Sequence, residues 1–84
     1  MSGRPTHAQV CAVSDLRALI ARAEAAIVVA VSIADLDMLH EVVSSSRALI
    51  ARIERDESWV SAAIAGLTAW SPLVARATAR GAAR

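Results

Sequence analysis

The 84-residue sequence has no Phe, no Tyr and no Lys, and Trp59 and Trp70 are its only aromatic residues. So few aromatic side chains argue against a groove that stacks the bases of single-stranded nucleic acid. The basic residues are all Arg, a bias that we attribute mainly to a high-GC coding sequence and only weakly to phosphate binding. The net charge is only +1, but residues 58–84 carry three Arg and no acid. Three arginines supply only a salt-sensitive, non-specific contact to phosphate, so we do not favour a nucleic-acid partner, and binding through this basic tail stays an alternative.

Cysteine and glycine are also scarce. Cys11 is the single cysteine, which excludes an intramolecular disulfide and favours a reducing, cytoplasmic setting. Three glycines, at positions 3, 66 and 81, are too few and too scattered for a phosphate-binding loop. No signal peptide is expected, because no continuous apolar core follows the first residues.

Residue types that carry catalysis or bind metals do not cluster at informative spacings. His7 and Cys11 are four residues apart and could share a helix face, as could Asp37 with either His40 or Glu41, but each such pair supplies only two ligands. Neither a nucleophile elbow nor an ordered Ser-His-acid set is present. The sequence therefore predicts no catalytic residue, no metal site and no cofactor.

Hydrophobic residues make up 56% of the chain and recur at helical spacing. Thr6 and Gln9 form a capping-box pattern that begins a first helix, and Ser32 with Asp35 gives the start signal of a second.

The run 44–46 consists of three serines, through which we expect the second helix to continue, because only Ser46 faces its apolar seam. The alternative is a break at this run, with Ser45 or Ser46 as the cap of a new helix that begins at Arg47.

These signals predict an all-α fold, either a helical hairpin or a three-helix bundle. It would comprise two long helices and a shorter C-terminal helix in a single domain, residues 1–84. Residues 1–5 and 77–84 are expected to be flexible ends.

The second predicted helix carries a heptad pattern that is wide enough to contact two neighbours. A monomer of this length buries only about 60 to 65% of its unfolded surface, so we expect the surplus apolar surface to be covered by a homo-oligomer or a larger protein partner. The predicted interface, the heptad seam, consists of Leu36, Leu39, Val43, Leu49, Ile50 and Ile53.

The hexapeptide Arg-Ala-Leu-Ile-Ala-Arg occurs twice, at residues 17–22 and 47–52, and Glu24 matches Glu54 at the same offset. We interpret the pair as one packing solution used twice, with true duplication as the alternative. Arginines from these copies and from the basic C-terminal third are candidate anion contacts: Arg17, Arg47, Arg52, Arg76 and Arg80.

Residues 58–75 carry no charge, which raises the alternative of a membrane-associated subunit. Gly66, Pro72 and four hydroxyl residues weaken that alternative. The favoured interpretation is a core helix that restarts at Ser71 and Pro72, where Ser caps and Pro takes the first helical position.

Leu16, Arg17, Ile20, Glu24 and Ile27, followed by residues 40–42 (His-Glu-Val), distantly resemble the first-helix pattern of small all-α chorismate mutases. That resemblance implies an intertwined three-helix dimer in which Arg17 and Arg55 correspond to two substrate-binding arginines. The chain departs from the family pattern because Ala34 or Asp35 stands near the place of another arginine, Lys is absent, and no Gln or Glu follows Glu57. A degenerate dimer of this kind is therefore a further alternative.

The preferred function from the sequence is a small non-enzymatic assembly or regulatory adaptor. It would act by homo-oligomerisation or by docking to a larger protein.

Overall fold

The computed structural model describes residues 4–83, which form three α-helices: α1 (His7–Val29), α2 (Ile33–Arg55) and α3 (Val60–Ala83). A 3₁₀ turn, Glu57–Trp59, joins α2 to α3. The helices run up, down and up, so that α1 packs against both of the others. The predicted all-α bundle is confirmed, whereas its predicted oligomeric state stays a prediction.

Both predicted helix starts are confirmed by their caps. The Thr6 hydroxyl accepts a hydrogen bond from the Gln9 backbone N–H at 3.1 Å, and the Gln9 side-chain oxygen accepts the Thr6 N–H at 2.7 Å. The Ser32 hydroxyl accepts the Asp35 N–H at 3.1 Å in the same way. These bonds satisfy N–H groups that have no partner within the first turn of a helix.

Gln9 also holds the end of a different helix. Its side-chain amide donates to the Ile53 carbonyl at 2.6 Å, and both residues are buried. Ile53 lies in the last turn of α2, where carbonyl groups lack partners within the helix. One side chain therefore caps the beginning of α1 and the end of α2.

The core consists of two clusters of aliphatic side chains. Ile50, Leu67 and Trp70 are half-buried and pack against both, so they join the clusters along the bundle. The first cluster contains Leu19, Ile20, Ala23, Ala26, Leu39, Val42, Val43, Val74 and Ala77. The second contains Ala12, Leu16, Ile53 and Ala63.

Helix α2 continues through its serine run, as predicted. Ser44 is exposed, and the Ser45 hydroxyl donates to the Glu41 carboxylate at 3.0 Å. Ser46 is fully buried in the bundle, and its hydroxyl has no hydrogen-bond partner within the described residues.

The prediction that the third helix is shorter was wrong. α3 has 24 residues against 23 in α1 and in α2, and it passes through Ser71 and Pro72 without restarting. Pro72 removes one helical N–H, but both Pro72 and Thr68, four residues earlier, are exposed, so the freed carbonyl can reach water. Packing of α3 on both sides of Pro72 keeps the helix continuous.

The segment 77–84 had been expected to be flexible, yet its described part, residues 77–83, is helical. Ala77 and Gly81 are buried there. A Cβ atom added at Gly81 would lie 2.6 Å from the Val29 carbonyl oxygen, so the absence of a side chain permits the close approach of α3 to α1.

Candidate functional site

The heptad seam that was predicted as an interface is used inside the chain. Leu39, Val43 and Ile53 are buried in the two core clusters. Leu36, Leu49 and Ile50 are half-buried. The two neighbours that the seam contacts are α1 and α3 of the same molecule, so a partner reaches Leu39, Val43 and Ile53 only if the bundle opens.

The two copies of the repeated hexapeptide lie on the antiparallel helices α1 and α2. An arginine of each copy forms an ion pair with a glutamate of the other helix. Arg17 of the first copy lies 3.8 Å from Glu54, and Arg47 of the second copy lies 2.9 Å from Glu24. Each pair maps onto the other at the offset of 30 residues. The hairpin therefore has a local pseudo-twofold arrangement of charge, although exposed pairs of this kind contribute only about 0 to 1 kcal/mol each.

Several residues of α1 and their counterparts 30 positions later in α2 also have similar surroundings. A shallow surface pocket between the helices is lined by Arg17 and Ile20 of the first copy and by Arg47 and Ile50 of the second. Core positions that correspond at this offset are Gln9 with Leu39, Ala12 with Val42, Leu16 with Ser46, and Ala23 with Ile53, all buried.

The five candidate anion contacts do not form one cluster. Arg17 and Arg47 line the shallow pocket, but each is paired with a glutamate there. The Arg52 guanidinium stacks 4.6 Å from the Trp59 ring centroid, a cation–π contact. Arg80 is paired with Asp35, which leaves Arg76 without an ion-pair partner among residues 4–83.

Asp35 and Arg80 join α2 to the end of α3. The guanidinium donates to both carboxylate oxygens, with distances of 2.8 Å from Nε and 2.5 Å from an Nη. These hydrogen bonds from Arg80 hold the pKa of the Asp35 carboxyl below its usual value. At the other end of α2, the pKa of Asp56 is also lowered, mainly by the backbone N–H of Ser58.

The side of α3 that faces away from α1 and α2 is uncovered. Glu57–Ala83 is long enough to cross a membrane and contains an 18-residue stretch of mean hydropathy 1.3, yet only 11% of that stretch is buried in this chain. Ile64, at the edge of this side, is 58% exposed. We define the outer face of α3 by its exposed residues Ser61, Ala65, Thr68, Pro72, Ala75 and Ala79.

A second group of exposed aliphatic side chains lies at the turn between α1 and α2. Val28 is 82% exposed, Val31 45% and Ile33 76%. This turn spans only the few residues between Val29 and Ile33, so it offers a small apolar tip rather than an extended surface.

No group of three or more His, Cys, Asp or Glu that could hold a metal ion is formed among residues 4–83. The Cys11 thiol and the His7 ring lie 3.3 Å apart on the exposed side of α1, but no third His, Cys, Asp or Glu joins any such pair in the described chain. Arg17 and Arg55, which the family resemblance would assign to substrate binding, are both exposed.

Neither family models nor curated proteins nor solved structures give a match to this chain.

Two contacts between helices and one surface were not predicted from the sequence. The second bond of Gln9 and the pairing of Asp35 with Arg80 join residues 44 and 45 positions apart, and no local spacing encodes them. The outer face of α3 is visible in the sequence as the uncharged run 58–75, but this run was interpreted as a core helix.

Proposed function

We propose that this chain is a small non-enzymatic assembly or regulatory adaptor that acts by self-association or by docking to a larger protein. The supporting observation is the outer face of α3, an uncharged helix surface about 27 Å long at 1.5 Å per residue. Exposed apolar surfaces that continue along an element are typical of protein–protein contact sites. The exposed Cys11 suits a reducing cytoplasmic setting.

The structure changes which residues we expect to make the contact. The heptad seam is occupied by α1 and α3, so the free surface is the outer face of α3 together with Ile64. A substitution in the seam, such as Ile50→Asp, would place a charge between the two core clusters and destabilise the monomer itself. Substitutions that test assembly must therefore be made at exposed residues, where they leave the core intact.

The direct test is sedimentation velocity of the purified protein over a wide concentration range. The proposal expects a species heavier than the 8.8 kDa chain, or a stable complex with a defined protein partner. Ala65→Arg, at the centre of the outer face of α3, should remove self-association through that face. Ala48→Arg, at an exposed alanine of α2, is its matched control and should leave the wild-type mass unchanged.

A membrane-associated subunit is the second candidate, favoured by the hydropathy and exposure of Glu57–Ala83. It predicts that the protein floats with phosphatidylcholine vesicles in a density gradient. Recovery of all the protein at the bottom of the gradient, without detergent, would refute this candidate and leave the adaptor proposal unaffected.

A further inference from the structure

We propose that a second copy of this chain covers the outer face of α3, with the two α3 helices antiparallel and crossing at the level of Gly66 and Leu67. This inference rests on the proposed function and names its partner. It is carried by the charge at the two ends of the face, by its spacing, and by the exposure of the residues that the arrangement would bring together.

Charge sets the direction of the two helices. The uncharged run is bounded by Glu57 at one end and by Arg76 at the other, and both side chains are exposed. An antiparallel arrangement centred between residues 66 and 67 brings Arg76 of each copy level with Glu57 of the other. A parallel arrangement would instead place like charges together, which disfavours association.

Spacing fits a second helix. The residues of the outer face recur at alternating steps of four and three, the pattern by which one helix packs along another. Their side chains are small, so the two backbones can approach closely. Ile64 stands at the edge of the face and would bury its exposed surface against the partner.

The exposed positions match one another in this register. Ser61 comes level with Pro72 of the other copy, and Ala65 with Thr68 of the other copy, while Ser58 comes level with Ala75. All of these residues are exposed in the single chain, so none must leave the core to meet its counterpart. A surface that pairs with itself in this way fits the isologous contact of a twofold dimer.

A lipid bilayer fits the same face less well. The larger apolar side chains of α3, Leu67, Trp70 and Val74, pack towards the core clusters, and Ile64 is the only large apolar residue of the outer side. Ser61 and Thr68 on the face add hydroxyl groups. A bilayer would gain little apolar burial from these residues, whereas a closely packed helix gains contacts along the whole face.

The size of the face limits the affinity. A strip about 27 Å long and 10 to 12 Å wide corresponds to roughly 300 Å² per copy. That is well below the area of about 800 Å² per partner of a standard stable interface. The dimer should therefore form with a Kd in the micromolar range or weaker, and the experiment must extend to about 1 mM protein.

Charge reversal tests the arrangement by sedimentation equilibrium at low salt. Arg76→Glu alone and Glu57→Arg alone should each weaken dimerisation by about tenfold, because each converts two attractive pairs into repulsive ones. The double variant should recover the wild-type affinity. Asp15→Arg, an exposed charge reversal on α1, is the matched control and should dimerise with the wild-type affinity.

Disulfide trapping tests the direction independently. In a Cys11→Ser background, a mixture of Ser61→Cys and Pro72→Cys proteins should form the mixed disulfide in preference to either homodisulfide. Circular dichroism confirms that each variant keeps its helix content.

The outcomes separate the two proposals. An oligomer that ignores the charge reversals, or that forms mainly homodisulfides, overturns this inference and leaves the proposed function standing. A monomer at every concentration overturns the inference and leaves only docking to a larger protein. Flotation of that monomer with phosphatidylcholine vesicles would overturn the proposed function as well.

Discussion

Ser46→Ala should stabilise the protein, although it removes a polar group from a buried position of a helix. Ser46 is fully buried, and its hydroxyl has no hydrogen-bond partner within the described residues. Leu16 corresponds to Ser46 at the offset of 30 residues and is also buried, so the equivalent place on α1 holds an apolar side chain.

The magnitude has two parts. Alanine favours the helix over serine by about 0.5 kcal/mol at any interior position. Removal of a buried hydroxyl without a partner relieves a desolvation cost of about 1 to 3 kcal/mol, from which the small void left by the oxygen subtracts a few tenths. Ser46→Ala should therefore raise the free energy of unfolding by about 1 to 3 kcal/mol.

Ser44→Ala isolates the buried hydroxyl, because Ser44 is exposed on the same helix two residues away. It should gain only the helix-propensity part, about 0.5 kcal/mol. Urea unfolding followed by the fluorescence of the half-buried Trp59 and Trp70 measures both variants. Equal stabilities of the two variants, or a loss of stability in Ser46→Ala, would show that the Ser46 hydroxyl is bonded in solution and would refute the reasoning.

Three further substitutions test the contacts that join the helices. Gly81→Ala should lower the free energy of unfolding by about 1 to 3 kcal/mol, because the new Cβ meets backbone of α1; a gain of stability, as helix propensity alone predicts, would contradict the close approach. Asp35→Asn should destabilise the protein at pH 7 and flatten its loss of stability between about pH 5 and pH 2. The reason is that a carboxyl with a lowered pKa in the folded state contributes stability above its unfolded pKa and loses that contribution as the pH falls. Acid denaturation monitored by circular dichroism measures this slope. The exposed control Asp37→Asn should show the same slope as the wild type. Gln9→Met should cost about 1 to 3 kcal/mol in urea unfolding, because it leaves the buried carbonyl of the last α2 turn without its donor, and an unchanged midpoint would exclude that role.

Local signals in the sequence predicted the local parts of the fold. The starts of α1 and α2 follow from Thr6 with Gln9 and from Ser32 with Asp35, because a cap is decided within four residues. The continuity of α2 through its serines also followed, since Ser46 alone of the three faces the seam. The prediction that a helix restarts at Pro72 was wrong. Proline is typical of the first position of a helix, but packing on both sides of Pro72 maintains one continuous helix.

The heptad seam shows what periodicity leaves open. Its spacing correctly indicates a helix that packs on two sides, but Leu39, Val43 and Ile53 meet helices of their own chain. A pattern of apolar residues records that a side is buried and does not record which molecule buries it. The pairing of Arg80 with Asp35 could not be predicted from the sequence, because it depends on how α3 is placed against α2.

The concentration dependence of the sedimentation coefficient, for the wild type and for Ala65→Arg at the centre of the outer face, tests the central claim most directly. We predict that the wild type shifts from the 8.8 kDa monomer towards a dimer between about 10 µM and 1 mM, and that Ala65→Arg remains monomeric while Ala48→Arg behaves like the wild type. A wild type that sediments as a monomer throughout, or an Ala65→Arg variant that dimerises as the wild type does, would contradict the account.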